Sequence, residues 1–220
     1  MTLPFTEDQF FAVFENYNSA IWPAQIMAYL LGGLAIVLAF GNASYRGRVI
    51  SAVLAIFWIW MGIAYHWVYF SAINKAAYLF GLGFILQGLL FLWFGVIKGN
   101  LSFGYQKNFN GLVGSLFIIY STVVYPLLGQ ALGHEYPITP MFGVAPCPTT
   151  IFTFGLFLWA PTGVSWQLIV IPFLWSLIGF TAAFLLSVRE DFGLLVASIL
   201  GLILLAAQHR RRTIHGEQIS

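Results

Sequence analysis

Residues 134–161 read HEYPITPMFGVAPCPTTIFTFGLFLWAP, and the number of times the chain crosses a membrane turns on them. Pro137, Pro140, Pro146 and Pro148 break the first half, so the continuous helical stretch is only residues 149–160. Twelve residues rising about 1.5 Å each reach roughly 18 Å, well short of a hydrocarbon core of about 30 Å. Either this segment re-enters, or extended chain over residues 141–148 completes the crossing. Non-helical backbone at that depth is tolerated only where protein or a water-filled cavity covers it. A short, proline-interrupted segment therefore points to a site.

The flanking sequence supplies six longer apolar runs, at residues 21–40, 49–73, 76–97, 111–132, 165–188 and 192–208. Pro172 is expected to kink the fifth of these. Residues 6–18 read as a short interfacial helix: Thr6 and Gln9 fit a capping box, and Phe10, Val13, Phe14 and Tyr17 recur at helical spacing. Charge bias then decides the crossing number. With seven crossings, Arg46, Arg48, Lys98, Lys107 and Arg210, Arg211 and Arg212 share one side, and only Lys75 and Arg189 lie opposite. Basic residues mark the cytoplasmic side, so the N-terminus is expected outside and the C-terminus inside. A re-entrant segment would turn the three arginines outward and destroy the bias.

The expected fold is thus all-α: a polytopic bundle of seven spans in one integral membrane domain, residues 1–220. Residues 1–20 form the interfacial helix, 21–208 the spans and 209–220 a basic cytoplasmic tail in which His209 and His215 are solvated. The fifth span is a half-helix preceded by extended, proline-rich chain. Composition agrees: 60% of the 220 residues are apolar and 7% charged, against about 45–50% and about 25% in soluble domains. Nine Lys and Arg cannot make an extended basic face, so nucleic acid is not a partner. The bilayer is. Without a basic n-region, the chain is expected to begin as mature protein.

Trp22, Trp67, Tyr69 and Tyr78 are expected at the outer boundary, and Trp93, Trp159 and Trp166 at the inner one. Ala28 with Gly32, Gly111 with Ser115 and Ala197 with Gly201 are small pairs four residues apart. Such pairs let helices approach closely, within one subunit or against a second copy or a partner membrane subunit.

Three stretches carry a resemblance: Pro4-Phe5-Thr6 through Tyr17-Asn18 to Ile21-Trp22-Pro23; Trp60-Met61-Gly62 with Tyr65-His66; and Gly133-His134 through Tyr136-Pro137 to Pro146-Cys147-Pro148-Thr149-Thr150-Ile151-Phe152. Together they resemble a bacterial multi-pass membrane family known only as a domain of unknown function. The resemblance covers nearly the whole chain and implies a bacterial inner, cytoplasmic, membrane setting. It implies no activity and no catalytic residues.

Away from the boundaries the spans hold no Asp, Glu, Lys or Arg, which argues against proton pumping. His66 is the exception, expected near the outer boundary as a ligand or gating group, or else as an imidazole hydrogen-bonded at the interface. His134, Met141 and Cys147 join it as a soft donor set suited to a metal ion such as Cu(I), the one cofactor the residues suggest. The alternative is that Cys147 is a small apolar filler. A second reading places substrate at His66, Tyr65, His134, Tyr136, Thr149 and Thr150, with the two threonines capping an exposed helix start that attracts polar groups. No triad or paired-histidine motif supports catalysis. Three functions stay open: a small permease or channel-like protein with an outward-facing site, a non-catalytic subunit or assembly factor of a larger membrane complex, and a membrane-embedded metal-dependent enzyme.

Overall fold

A computed structural model describes residues 3–217, with side chains through Arg211. Arg212 and His215, and with them most of the expected tail, lie outside the described side chains. Among the described residues the fold is all-helical and contains no strand. Helix α1 (Glu7–Ala20) starts on the expected capping box: Gln9 N–H donates to the Thr6 hydroxyl at 3.3 Å, and Thr6 N–H to the Gln9 side chain at 2.9 Å. Its buried face carries Phe10, Val13, Phe14 and Tyr17, the four positions expected from spacing. At Trp22-Pro23 the chain turns 84° into α2 (Ala24–Phe40).

Among the described residues five helices are long and apolar enough to cross a membrane: α3 (Arg46–Ala72), α4 (Ala77–Ile97), α5 (Phe109–Ala131), α7 (Trp166–Leu185) and α8 (Phe192–Glu217), the last counted with the turn before it over Arg189–Arg211. The bent pair α1–α2 brings the number to six. Three of the long helices widen into π-turns, at Met61–Tyr69, Leu92–Ile97 and Tyr120–Val124. Such turns cost regular hydrogen bonding and re-aim side chains. The first of them carries Tyr65 and His66.

Helix α6 (Pro146–Leu158) is the short one, and every residue in it except Cys147 is buried. An all-round apolar helix belongs inside a bundle. Here α3, α5, α7 and α8 surround it. Its C-terminal end is tied down by Gly104 N–H to Trp159 O at 2.8 Å, Trp159 Nε1–H to Gly111 O at 3.0 Å and Gln208 Nε2–H to Ala160 O at 3.0 Å. Gly114 and Gly155 let α5 and α6 touch through backbone: a Cβ on either would lie 2.7 or 2.9 Å from the other's carbonyl oxygen.

Two local expectations change. Residues 141–148 are not extended: Phe142–Val144 form a turn, Gly143 has φ +79°, and the helix already begins at Pro146. Pro146 and Pro148 fit because the first turn needs no N–H partners. Trp159 is not a belt residue either, being 2% exposed and bonded to Gly111. The small pairs are used within the chain. Ala28 and Gly32 receive the 142–143 turn, Gly111 takes the Trp159 indole, and Gly201 packs on Phe154.

Candidate functional site

Between α1, the α3–α4 corner, the start of α6 and α7 lies a cavity of about 250 Å³. Its walls are aromatic: Phe10 and Phe14 from α1, Tyr65 and Phe70 from α3, Phe80 from α4 and Trp175 from α7. These rings hold one another edge-on or stacked, as Phe14 on Tyr65 at 5.0 Å and Tyr65 on Phe70 at 5.5 Å. The exposed Thr181 and Ile178 stand on its rim. Cys147, Gly179 and Asp191 complete the lining on the bundle side, and a methyl on Gly179 would lie 3.6 Å from both Cys147 Sγ and Trp175 Nε1.

Asp191 closes a single turn of 3-10 helix, Arg189–Asp191, that leads into α8. It is 3% exposed, and the Tyr125 hydroxyl of α5 donates to its Oδ1 at 2.5 Å. Its neighbour Glu190 is fully buried but turned elsewhere. Glu190 Oε1 meets His134 Nδ1 at 2.7 Å, and the Tyr120 hydroxyl donates to the Glu190 backbone carbonyl at 2.7 Å. Gly129 makes the room, since a Cβ there would lie 3.4 Å from Glu190 Oε1. Glu190 Oε2 has no protein partner. So adjacent carboxylates have different company: one faces an imidazole at the surface, the other a phenol, the Cys147 thiol and an apolar cavity.

These two acids are what reading the sequence missed. Both sit at the boundary of the last apolar run, where sequence alone gives them no sign of burial. Their burial depends on tyrosines from α5, some 66–70 positions earlier in the chain. The one local hint is that an acidic pair directly precedes an apolar helix, where a helix start favours negative charge. Both acids stand at the boundary of the last apolar run, so the middle of each long apolar helix still carries no Asp, Glu, Lys or Arg.

The expected site residues separate. Tyr65 lines the cavity and Cys147 borders it. His66 is fully buried in the protein and not hydrogen-bonded: it is boxed by Phe70, Phe80, Phe84 and Trp175, with ring centroids 4.6–6.1 Å away, and neither ring nitrogen has a protein hydrogen-bond partner. Phe70, Phe80 and Trp175, which touch it, also line the cavity. His134 is committed to Glu190 and packs on Phe11 at 4.3 Å. Tyr136 is about half exposed, its hydroxyl 3.4 Å from Asn18 O. Met141 packs against the core. The four soft donors therefore do not converge, and among the described residues no three His, Cys, Asp or Glu side chains are grouped to hold an ion.

Thr149 and Thr150 do not cap an open helix start. Their hydroxyls donate back to the Ala145 and Pro146 carbonyls at 2.7 and 2.8 Å, and Thr149 also accepts from Gly143 N–H at 2.9 Å. Ala145 N–H is bonded to Met141 O, and Pro146 and Pro148 carry no N–H. Of the first four amides only that of Cys147 remains, too little for the anion-binding start of a helix.

Charge is divided between the two ends of the bundle. Around the cavity end Glu7, Asp8, Glu15 and Glu135 are exposed, with Lys75 and Arg189 among them; Arg46 and Arg48 at the start of α3 and Lys98 and Lys107 between α4 and α5 lie at the other end. No curated protein and no solved structure matches this chain. A family described only as a family of unknown function, DUF6064, matches residues 7–216, nearly the full length including α1, the cavity walls and the acidic turn, and the chain belongs to that family.

Proposed function

We propose that this chain is a small-solute permease of a bacterial inner membrane, with seven crossings, the N-terminus outside, and a binding cavity that opens outward. The observation that carries the reading is the aromatic cavity of about 250 Å³ that ends on Cys147 and Asp191. Pockets for drug-sized ligands run from about 300 Å³ upward, so its ligand is smaller than those. Support for seven crossings comes from α6. The 134–145 segment lies at the acidic end, where Asn18 Nδ2–H bonds the Pro137 and Thr139 carbonyls, whereas Trp159 bonds to the loop of the basic end. The basic residues of that end then face the cytoplasm.

An open channel is the weaker form of the reading, because α6 is buried along the axis on which a pore would run. Passage to the cytoplasm then needs α6 or its neighbours to move. The subunit reading has less support, since the small-residue pairs are already filled by this chain's own side chains.

Cys147 is the sole cysteine, which makes the test direct. In intact cells a membrane-impermeant maleimide should label it from outside, and reporters fused after Lys107 and after Glu135 should read as cytoplasmic and external. Labelling only after the cytoplasmic face is opened, or an external reporter after Lys107, would overturn the outward-facing cavity and the orientation respectively.

A further inference from the structure

We infer that the cavity takes an organic cation, a singly charged ammonium on a compact apolar body; this rests on the outward-cavity reading above and names the class of its ligand. Two features of the lining combine. The first is a cage of six aromatic rings, Phe10, Phe14, Tyr65, Phe70, Phe80 and Trp175, contributed by four helices. Ring faces carry negative quadrupole density and attract ammonium groups most strongly where water is excluded, which is how quaternary ammonium ligands are held elsewhere. Rings alone would serve any apolar solute equally well.

The second feature breaks that tie. Asp191 lines the same cavity at 3% exposure, and its hydrogen-bond partners there, the Tyr125 hydroxyl and the Cys147 thiol, are both neutral. Of the two imidazoles at this end, His134 is bound to Glu190 and His66 is enclosed among aromatic rings, and Lys75 and Arg189 are both exposed. Among the described residues no lysine, arginine or histidine forms an ion pair with Asp191. A buried carboxylate needs an opposite charge or good hydrogen bonds to stay ionised. The protein supplies two neutral hydrogen bonds and no opposite charge, and a cation in the cavity supplies that charge. The exposed acids Glu7, Asp8, Glu15 and Glu135 sit at the same end and raise the local concentration of positive solutes over negative ones. An anion would meet the carboxylate, the acidic rim and the negative ring faces together.

The test compares two ligands of nearly equal shape on the purified full chain in an uncharged detergent: benzyltrimethylammonium and its neutral carbon isostere neopentylbenzene. Binding is read from protection of Cys147 against a thiol reagent and from the shift in thermal unfolding. The cation should bind at least about tenfold more tightly than the isostere. Asp191→Asn should lower the cation's affinity by at least about tenfold. Equal affinity for the two ligands would overturn the cation assignment and leave the cavity reading standing. Failure of both ligands to protect Cys147 would overturn both the cation assignment and the cavity reading. Because the ligand comparison is made on the unaltered chain, it does not depend on Asp191→Asn folding.

Discussion

The two ends of α6 are built by opposite means. At the basic end its last residues are tied by three hydrogen bonds to the α4–α5 loop, α5 and α8, and the Trp159 indole fills the space beside Gly111 and Gly114. At the acidic end two prolines remove amide donors, a glycine-bearing turn replaces helix, and the neighbouring rings enclose a cavity rather than closing on one another. A bundle sealed tightly at one end tolerates hollowness at the other. The same helix therefore serves as an anchor below and as one wall of a site above.

The contrast predicts unequal costs for removing a large aromatic side chain at the two ends. Trp159→Ala takes away a close-packed ring and a buried hydrogen bond and is expected to cost about 4 kcal/mol. Phe14→Ala borders existing empty space, so fewer contacts are lost, and about 2 kcal/mol is expected. Unfolding of both variants in one detergent checks this. Equal losses would mean that the cavity end is packed as tightly as the basic end.

A smaller effect sharpens the comparison within the acidic end. His134→Ala leaves Glu190 buried without its imidazole and is expected to cost about 2 kcal/mol, less than for a fully buried pair because the histidine side chain is 14% exposed. In a Glu190→Gln background the same change should cost less than about 1 kcal/mol. If the two costs are equal, the pair contributes no coupling, and Glu190 is held by other contacts.

The smallest effect is expected at the edge of the cavity end. Tyr136 is 48% exposed and its one hydrogen bond is 3.4 Å long, so Tyr136→Phe should change stability by less than about 0.5 kcal/mol. A larger loss would show the acidic end to be more firmly built than its hydrogen bonds indicate.

What local pattern determines was legible in the sequence: the apolar runs, the Thr6–Gln9 cap, the burial stripe of α1 and the shortness of the fifth apolar segment. The start of α6 was legible too, but misread. Treating prolines only as breakers predicts extended chain over residues 141–148, whereas Pro146 is suited to the first helical position. The site was harder. Burial of Asp191 and Glu190 is decided by where Tyr120, Tyr125 and Gly129 of α5 come to rest, and no spacing rule links those residues. His66 failed for a similar reason. Its depth along α3 was roughly legible, but the four rings around it come from α3, α4 and α7, and they turn an expected contact group into a dry, enclosed one.

The complete enclosure of α6 also bears on biogenesis. A helix of 13 residues with no lipid-facing side, bearing Thr149, Thr150 and Thr153, gains little by leaving the insertion machinery alone. Two of its enclosing helices, α7 and α8, are synthesised after it. The core helix must therefore wait for the ribosome to finish the last span before it has a home. A nascent chain cut short before α8 should retain α1 to α5 in the bilayer while Cys147 and the segment around it stay open to chaperones and proteases.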